Sequence, residues 1–217
     1  MGPVRSLFEP AQRGAIASTH LIVLPGAYQS PEDVIAAKFS YAMQKREIDA
    51  DLSCVDLEPE FLTDRGALAR LRDEIVAPSR RLGYAQLWLV GISLGGYVAL
   101  DFVSSYPREI DGVCLLAPYL GSRIVAGEIT AAGGLLAWSP GEIADDDDER
   151  RIWAFVKRYS ESATLVYLGF GREDRFASTQ RIMAAALPST ACRIIAGGHD
   201  WTTWLALWEY FLESGYL

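Results

Sequence analysis

One serine lies among glycines where an apolar run ends. Gly91-Ile92-Ser93-Leu94-Gly95-Gly96 follows AQLWLV, and a helix-like pattern begins at once. A serine hydroxyl becomes a useful nucleophile only where a base takes its proton. The chain offers two histidines. His20 opens an apolar run and is expected to be structural or exposed. His199 lies in IIAGGHDWTTW, a glycine-rich loop just past the last apolar run. Such a base needs a carboxylate to hold its tautomer and to stabilise the imidazolium. The run TLVYLGF ends in Gly171-Arg172-Glu173-Asp174-Arg175-Phe176. Asp174 is the favoured acid and Glu173 its close rival, while Asp200 adjoins His199 and more easily points away from the ring. Ser93, Asp174 and His199 together have the makings of acyl chemistry: attack on a carbonyl, proton transfer, and orientation of the base.

The oxyanion formed in such a reaction calls for backbone N–H donors. A helix beginning after Ser93 points its free N–H groups at the site, so Leu94 N–H is one candidate. The loop in LIVLPGAYQS supplies the second: Gly26 permits a sharp turn and Ala27 N–H is the favoured donor. Tyr28 is the alternative donor, or its ring walls the pocket. Tyr28, Tyr119 and Trp138, with Trp153 as a further candidate, are expected to line an apolar pocket for small or aromatic acyl groups. Trp201, Trp204 and Trp208 fall at helical spacing and belong to a core face instead.

The elements that must position these residues are legible as apolar runs alternating with amphipathic segments. Candidate strands are 20–24, 52–57, 85–90, 112–117, 164–170 and 191–196. They are nearly continuous in apolar residues, as parallel strands covered on both faces should be. Helices are expected from Ser30-Pro31 to about Arg46, from roughly Thr63 to Leu82, after Ser93 to before Pro107, and near 147–160, 178–187 and 201–213. The second should bury Leu68, Leu71, Ile75 and Leu82. Alternating strands and helices imply a doubly wound, mostly parallel sheet of about six strands in a three-layer α/β sandwich. Ligands in such sheets sit beyond the carboxyl ends of the strands, where Ser93, Asp174 and His199 all fall. Residues 1–217 read as one domain. The irregular stretch 119–146 is either a small lid or pocket wall, or a plain surface excursion.

Composition closes off other functions. The 217 residues carry a formal charge of −8, which argues against nucleic acid and anionic lipid as partners. Cys54, Cys114 and Cys192 show neither zinc spacing nor a disulfide framework and read as buried small hydrophobes. The acidic run 145–149 lacks the spacing of a calcium loop and suits a helix start. The N-terminal stretch lacks a signal-peptide core, and the match of its first six residues to a myristoylation pattern is spoiled by Pro3. No stretch has the length of a membrane span. The expectation is a cytoplasmic protein with a small-molecule partner and no cofactor.

These features resemble the α/β-hydrolase superfamily over most of the chain, from Thr19 to the last helix. GISLGG resembles the nucleophile elbow of many small esterases. GGHDWTTW resembles the histidine loop of the esterase group that includes enterochelin esterases and mycolyl-type acyltransferases. The resemblance implies Ser93 as nucleophile, His199 as base, Asp174 as acid, and Ala27 and Leu94 as oxyanion donors. It implies a serine hydrolase acting on a carboxylic ester or thioester, with an acyltransferase using the same triad, or a weakly catalytic ligand-binding protein, as alternatives. Two features depart from the family. Pro25-Gly26 stands where many members carry His-Gly, and only about 18 residues precede the first core strand, so the N-terminal strands should be reduced and any cap small.

Overall fold

The computed structural model describes residues 3–11, 16–57, 65–159 and 163–217. The expected start of the second helix near Thr63, and the first two residues of the myristoylation pattern, lie outside the described residues. Seven strands form one sheet in the order β1-β3-β2-β4-β5-β6-β7. They are β1 (Ser6–Glu9), β2 (Thr19–Leu24), β3 (Ala50–Val55), β4 (Gln86–Ile92), β5 (Gly112–Leu116), β6 (Leu165–Gly171) and β7 (Cys192–Ile195). All neighbours pair in parallel except β1, which runs antiparallel to β3 in the register Ser6 with Val55. The expected count of about six misses β1. That strand is four residues long, half-buried at an edge, and set by pairing with a segment far away in sequence.

Helices cover both faces: α1 (Pro31–Ala36), α2 (Phe39–Lys45), α3 (Arg65–Leu71), α4 (Ala77–Leu82), α5 (Leu94–Ser105), α6 (Arg123–Ala131), α7 (Asp148–Lys157), α8 (Ala177–Ala184) and α9 (Trp201–Leu212). The second and fourth strands, β2 and β4, are adjacent, and the inner parallel strands β2, β4 and β5 are buried apart from the exposed first residue of β4, which explains their apolar sequences. Ser30 and Asp33 form a reciprocal capping box at the start of α1. Asp147 caps α7 through the Arg150 N–H, so the acidic run opens a helix as expected.

Two expected helices are interrupted. The first breaks at Lys38, which adopts φ 68°. The break lets Phe39 turn fully into the core, where it stacks on Trp208 at 5.3 Å and accepts the Trp208 indole N–H through its carbonyl at 3.1 Å. Between α3 and α4 the chain widens into a π-turn over Arg72–Val76. Pro78 lacks the N–H that would bond Glu74, and the Ala77 N–H reaches back to Arg72 instead. Past this wide turn the buried stripe drifts. Leu68 and Leu71 are buried, but Leu82 is 59 % exposed.

His20 is buried between two hydroxyls, with Nδ1 2.9 Å from Ser79 Oγ and Nε2 2.7 Å from Ser53 Oγ. Tyr84 stacks on it at 4.7 Å and donates to Asp51 at 2.6 Å. Burial lowers the His20 pKa from 6.5 to about 4, with the Asp51 charge opposing the shift. The unfolded chain therefore binds a proton between pH 6.5 and 4 that the folded chain refuses. The stability His20 confers is complete above pH 6.5 and is lost as pH falls towards 4, by roughly 3 kcal/mol. Denaturant unfolding across this range should show that slope in the native protein. His20→Gln should flatten it, whatever its absolute stability.

Candidate active site

Three strand ends meet at one rim of the sheet. The β4–α5 turn carries Ser93 at φ 51° and ψ −111°, a conformation costly for a residue with a side chain. Backbone hydrogen bonds lock it. The Ser93 N–H donates to Leu116 O at 3.0 Å, and Ser93 O accepts from Tyr119 N–H at 2.8 Å and Gly96 N–H at 3.0 Å. The flanking glycines are required by contact. A Cβ at Gly95 would lie 1.9 Å from Leu24 O, and one at Gly91 would lie 2.5 Å from Gly96 Cα. Both obstacles are backbone and cannot swing aside. Gly95→Ala should therefore cost about 3 kcal/mol or more, or yield insoluble protein. A thermal melt beside the native protein checks it.

His199 reaches this rim on the loop between β7 and α9, and Asp174 on the loop after β6. His199 Nε2 stands 2.8 Å from Ser93 Oγ, and His199 Nδ1 stands 2.7 Å from Asp174 Oδ2. The second carboxylate oxygen of Asp174 accepts the Phe176 N–H at 2.7 Å. Its side chain is fully buried. Both oxygens are thus committed, and the ionised carboxylate fixes the proton of a neutral His199 on Nδ1, leaving Nε2 to accept from the serine. The rival acids are occupied elsewhere. Glu173 accepts the Gly197 N–H at 2.6 Å and so ties down the histidine loop. Asp200 caps α9 by accepting the Thr203 N–H at 2.9 Å.

Two aromatic residues pack against His199 that the sequence reading did not place there. Phe176 and Trp204 meet the His199 ring edge-to-face, each with centroids 5.1 Å apart. Trp204 also belongs to the buried core, as its helical spacing suggests. Phe176 carried a signal only in its place two residues after Asp174.

The β2–α1 loop passes beside Ser93, close enough that a Cβ on Gly26 would stand 3.3 Å from the serine Cβ. The Gly26 N–H is taken by Gln29 Oε1 at 2.8 Å. Among the described residues, the next N–H in the chain, that of Ala27, meets no acceptor. Leu94 opens α5, so its N–H has no acceptor within the helix.

A cleft of about 690 Å³ adjoins the site, between α6 and the segment Arg175–Ile182. Tyr119 lines it, and its ring packs edge-on against Phe176 at 5.4 Å. The other pocket expectations need correction. Tyr28 sits at φ 62° in a tight turn that throws its ring outward, 107 % exposed, so it walls nothing. Trp138, 3 % exposed, and Trp153, 0 % exposed, are packed in the core and do not line the cleft. Within the stretch 119–146, α6 begins at a Ser122 cap and contributes one wall of the cleft.

Among the described residues, no group of three His, Cys, Asp or Glu side chains is placed to hold a metal. No helix there is long and apolar enough to cross a membrane. Burial raises the thiol pKa of Cys54 to about 12 and that of Cys114 well above the ordinary value, so neither is a ready nucleophile.

No family model and no curated protein matches the sequence. Solved structures do match. Est1E from Butyrivibrio proteoclasticus aligns with a TM-score of 0.64 at 16% identity, over 97% of this chain and 94% of that one. FphF, a fluorophosphonate-binding serine hydrolase from Staphylococcus aureus, aligns with a TM-score of 0.66 at 10% identity, over 98% of each chain. The monoacylglycerol lipase of Paleococcus ferrophilus aligns with a TM-score of 0.61 at 14% identity, over 99% of this chain and all of that one. With these full-length matches and its mostly parallel seven-stranded sheet covered by helices on both sides, this chain has the α/β-hydrolase fold.

Proposed function

We propose that this chain is a serine hydrolase that cleaves a small carboxylic ester or thioester through an acyl-enzyme on Ser93. The observation that carries this reading is the unbroken relay from Ser93 Oγ to His199 Nε2 at 2.8 Å and from His199 Nδ1 to Asp174 at 2.7 Å. The esterase, serine hydrolase and lipase that share the fold support ester hydrolysis in general.

In the first half-reaction Ser93 Oγ attacks the acyl carbonyl as its proton passes to His199 Nε2. Asp174 stabilises the resulting imidazolium. The N–H groups of Ala27 and Leu94 receive the oxyanion, and the positive end of α5 adds to their effect. His199 then protonates the leaving alcohol or thiol, and the acyl group stays on Ser93. In the second half-reaction water gives its proton to His199 and attacks the ester, and the acid leaves as Ser93 recovers its proton. No step calls for a metal or organic cofactor. The cleft of about 690 Å³ suits a small ligand rather than a polymer.

A panel of p-nitrophenyl esters and matched thioesters of graded acyl length tests the reading. Turnover should be greatest for short acyl groups and should fall by about 10⁴-fold or more when Ser93 is replaced. A folded protein that turns over no member of the panel would count against it.

A further inference from the structure

Resting on the assignment of Ser93 as nucleophile, we propose that the preferred substrate is an anionic ester. Its carboxylate is held in the cleft by Arg123 and Arg175. These residues approach from two different elements, Arg123 from the first position of α6 and Arg175 from the loop that carries Asp174. Among the described residues no aspartate or glutamate lines the cleft, although the chain has 28 acidic against 20 basic residues. A wall with two arginines and no acid is therefore a local reversal of the protein's charge.

The state of the guanidinium groups points the same way. Arg5, Arg46, Arg80, Arg150 and Arg151 all hold carboxylates. Several other exposed arginines among the described residues do not, but only Arg123 and Arg175 line this cleft. Among the described residues neither Arg123 nor Arg175 forms such a pair. The acids close by in sequence, and Glu149 on the neighbouring Ser122, are otherwise engaged: Asp174 bonds His199 and the Phe176 N–H, Glu173 takes the Gly197 N–H, Glu128 pairs with Arg150, and Glu149 accepts the Ser122 hydroxyl at 3.1 Å. The Arg175 guanidinium lies over the Phe176 ring at 4.8 Å, and that ring abuts His199. This cation therefore sits beside the catalytic rim. A free guanidinium fork matches a carboxylate in two parallel hydrogen bonds. Both arginines are solvent-exposed, so their pull on an anion should weaken with salt.

Two matched substrate pairs test this. One places the charge on the acyl side: mono-p-nitrophenyl adipate against p-nitrophenyl hexanoate. The other places it on the alcohol side: the butyrate ester of 5-hydroxypentanoate against pentyl butyrate. In one pair the charged member should show about tenfold or more higher kcat/KM than its neutral partner. Arg123→Gln and Arg175→Gln should each lower that charged-to-neutral ratio severalfold, the double variant should remove the preference, and high salt should shrink it. As a readout independent of turnover, slow-reacting amide analogues of the same pairs should protect Ser93 from a fluorophosphonate probe, the charged ones better. Preference for the neutral member in both pairs, or a ratio that the double variant leaves unmoved, overturns the anion assignment while Ser93-dependent turnover keeps the hydrolase reading. If no ester is turned over but Ser93 is labelled, charged analogues that protect no better than neutral ones overturn it. Neither turnover nor labelling overturns both.

Discussion

Replacing Ser93 by alanine should lower kcat on a short p-nitrophenyl ester by about 10⁴- to 10⁶-fold, while folding is retained. The size of the effect follows from what the hydroxyl does. In the proposed reaction it is the atom that bonds to the acyl carbon, so its loss removes the covalent route and leaves only the oxyanion donors and binding to help a water molecule. The folded state should tolerate the change. Ser93 is held by its backbone bonds to Leu116, Gly96 and Tyr119, and its side chain caps no helix. Alanine keeps the Cβ that the turn already accommodates. Steady-state kinetics and circular dichroism on the same preparation separate lost chemistry from lost structure.

Asp174→Asn should cost about 10⁴-fold in kcat with little change in fold. The present carboxylate accepts from Phe176 N–H on one oxygen and from His199 Nδ1–H on the other. An asparagine must turn its oxygen to the Phe176 N–H, and its amide group then donates towards Nδ1. That forces the imidazole proton onto Nε2, where it faces the Ser93 hydroxyl and cannot accept its proton. The variant also leaves the imidazolium without its counter-charge. Kinetics on the same ester check the loss. The chemical shift of the proton bound to His199 Nδ1 reports the tautomer, and its disappearance in the variant is the expected sign.

The pieces of this site were legible in sequence to different degrees, for physical reasons. Ser93 stands out because a strand-to-helix turn this tight needs glycine on both sides, and the glycines are visible as letters. His199 stands out because the chain has only one other histidine, and that one opens a strand. Asp174 was favoured in sequence but not cleanly separated from Glu173, since both follow the same strand end with the same chemistry, and their partners tell them apart. The inner strands were readable because burial on both faces leaves an apolar run. Strand β1 was not, because SLFE at an edge acquires its conformation from pairing with β3. The break at Lys38 is likewise set by Phe39 finding its place against Trp208, a contact between residues far apart in the chain. Pro78 lies inside the helix expected from Thr63 to Leu82, which took no account of it, and the helix widened around it rather than ending. Aromatic content could not say which rings face a pocket. Trp138 and Trp153 went to the core, Tyr28 to solvent, and the ring that reached both the cleft and His199 was Phe176.

The claim on which the whole account rests is that the Ser93 hydroxyl is activated by His199. A fluorophosphonate probe reacts with such a hydroxyl, and digestion with mass spectrometry identifies the residue that carries it. The account predicts a single stoichiometric adduct on the peptide containing Ser93, abolished by prior replacement of His199 with alanine. A folded protein that stays unlabelled, or an adduct on any other residue, would contradict it.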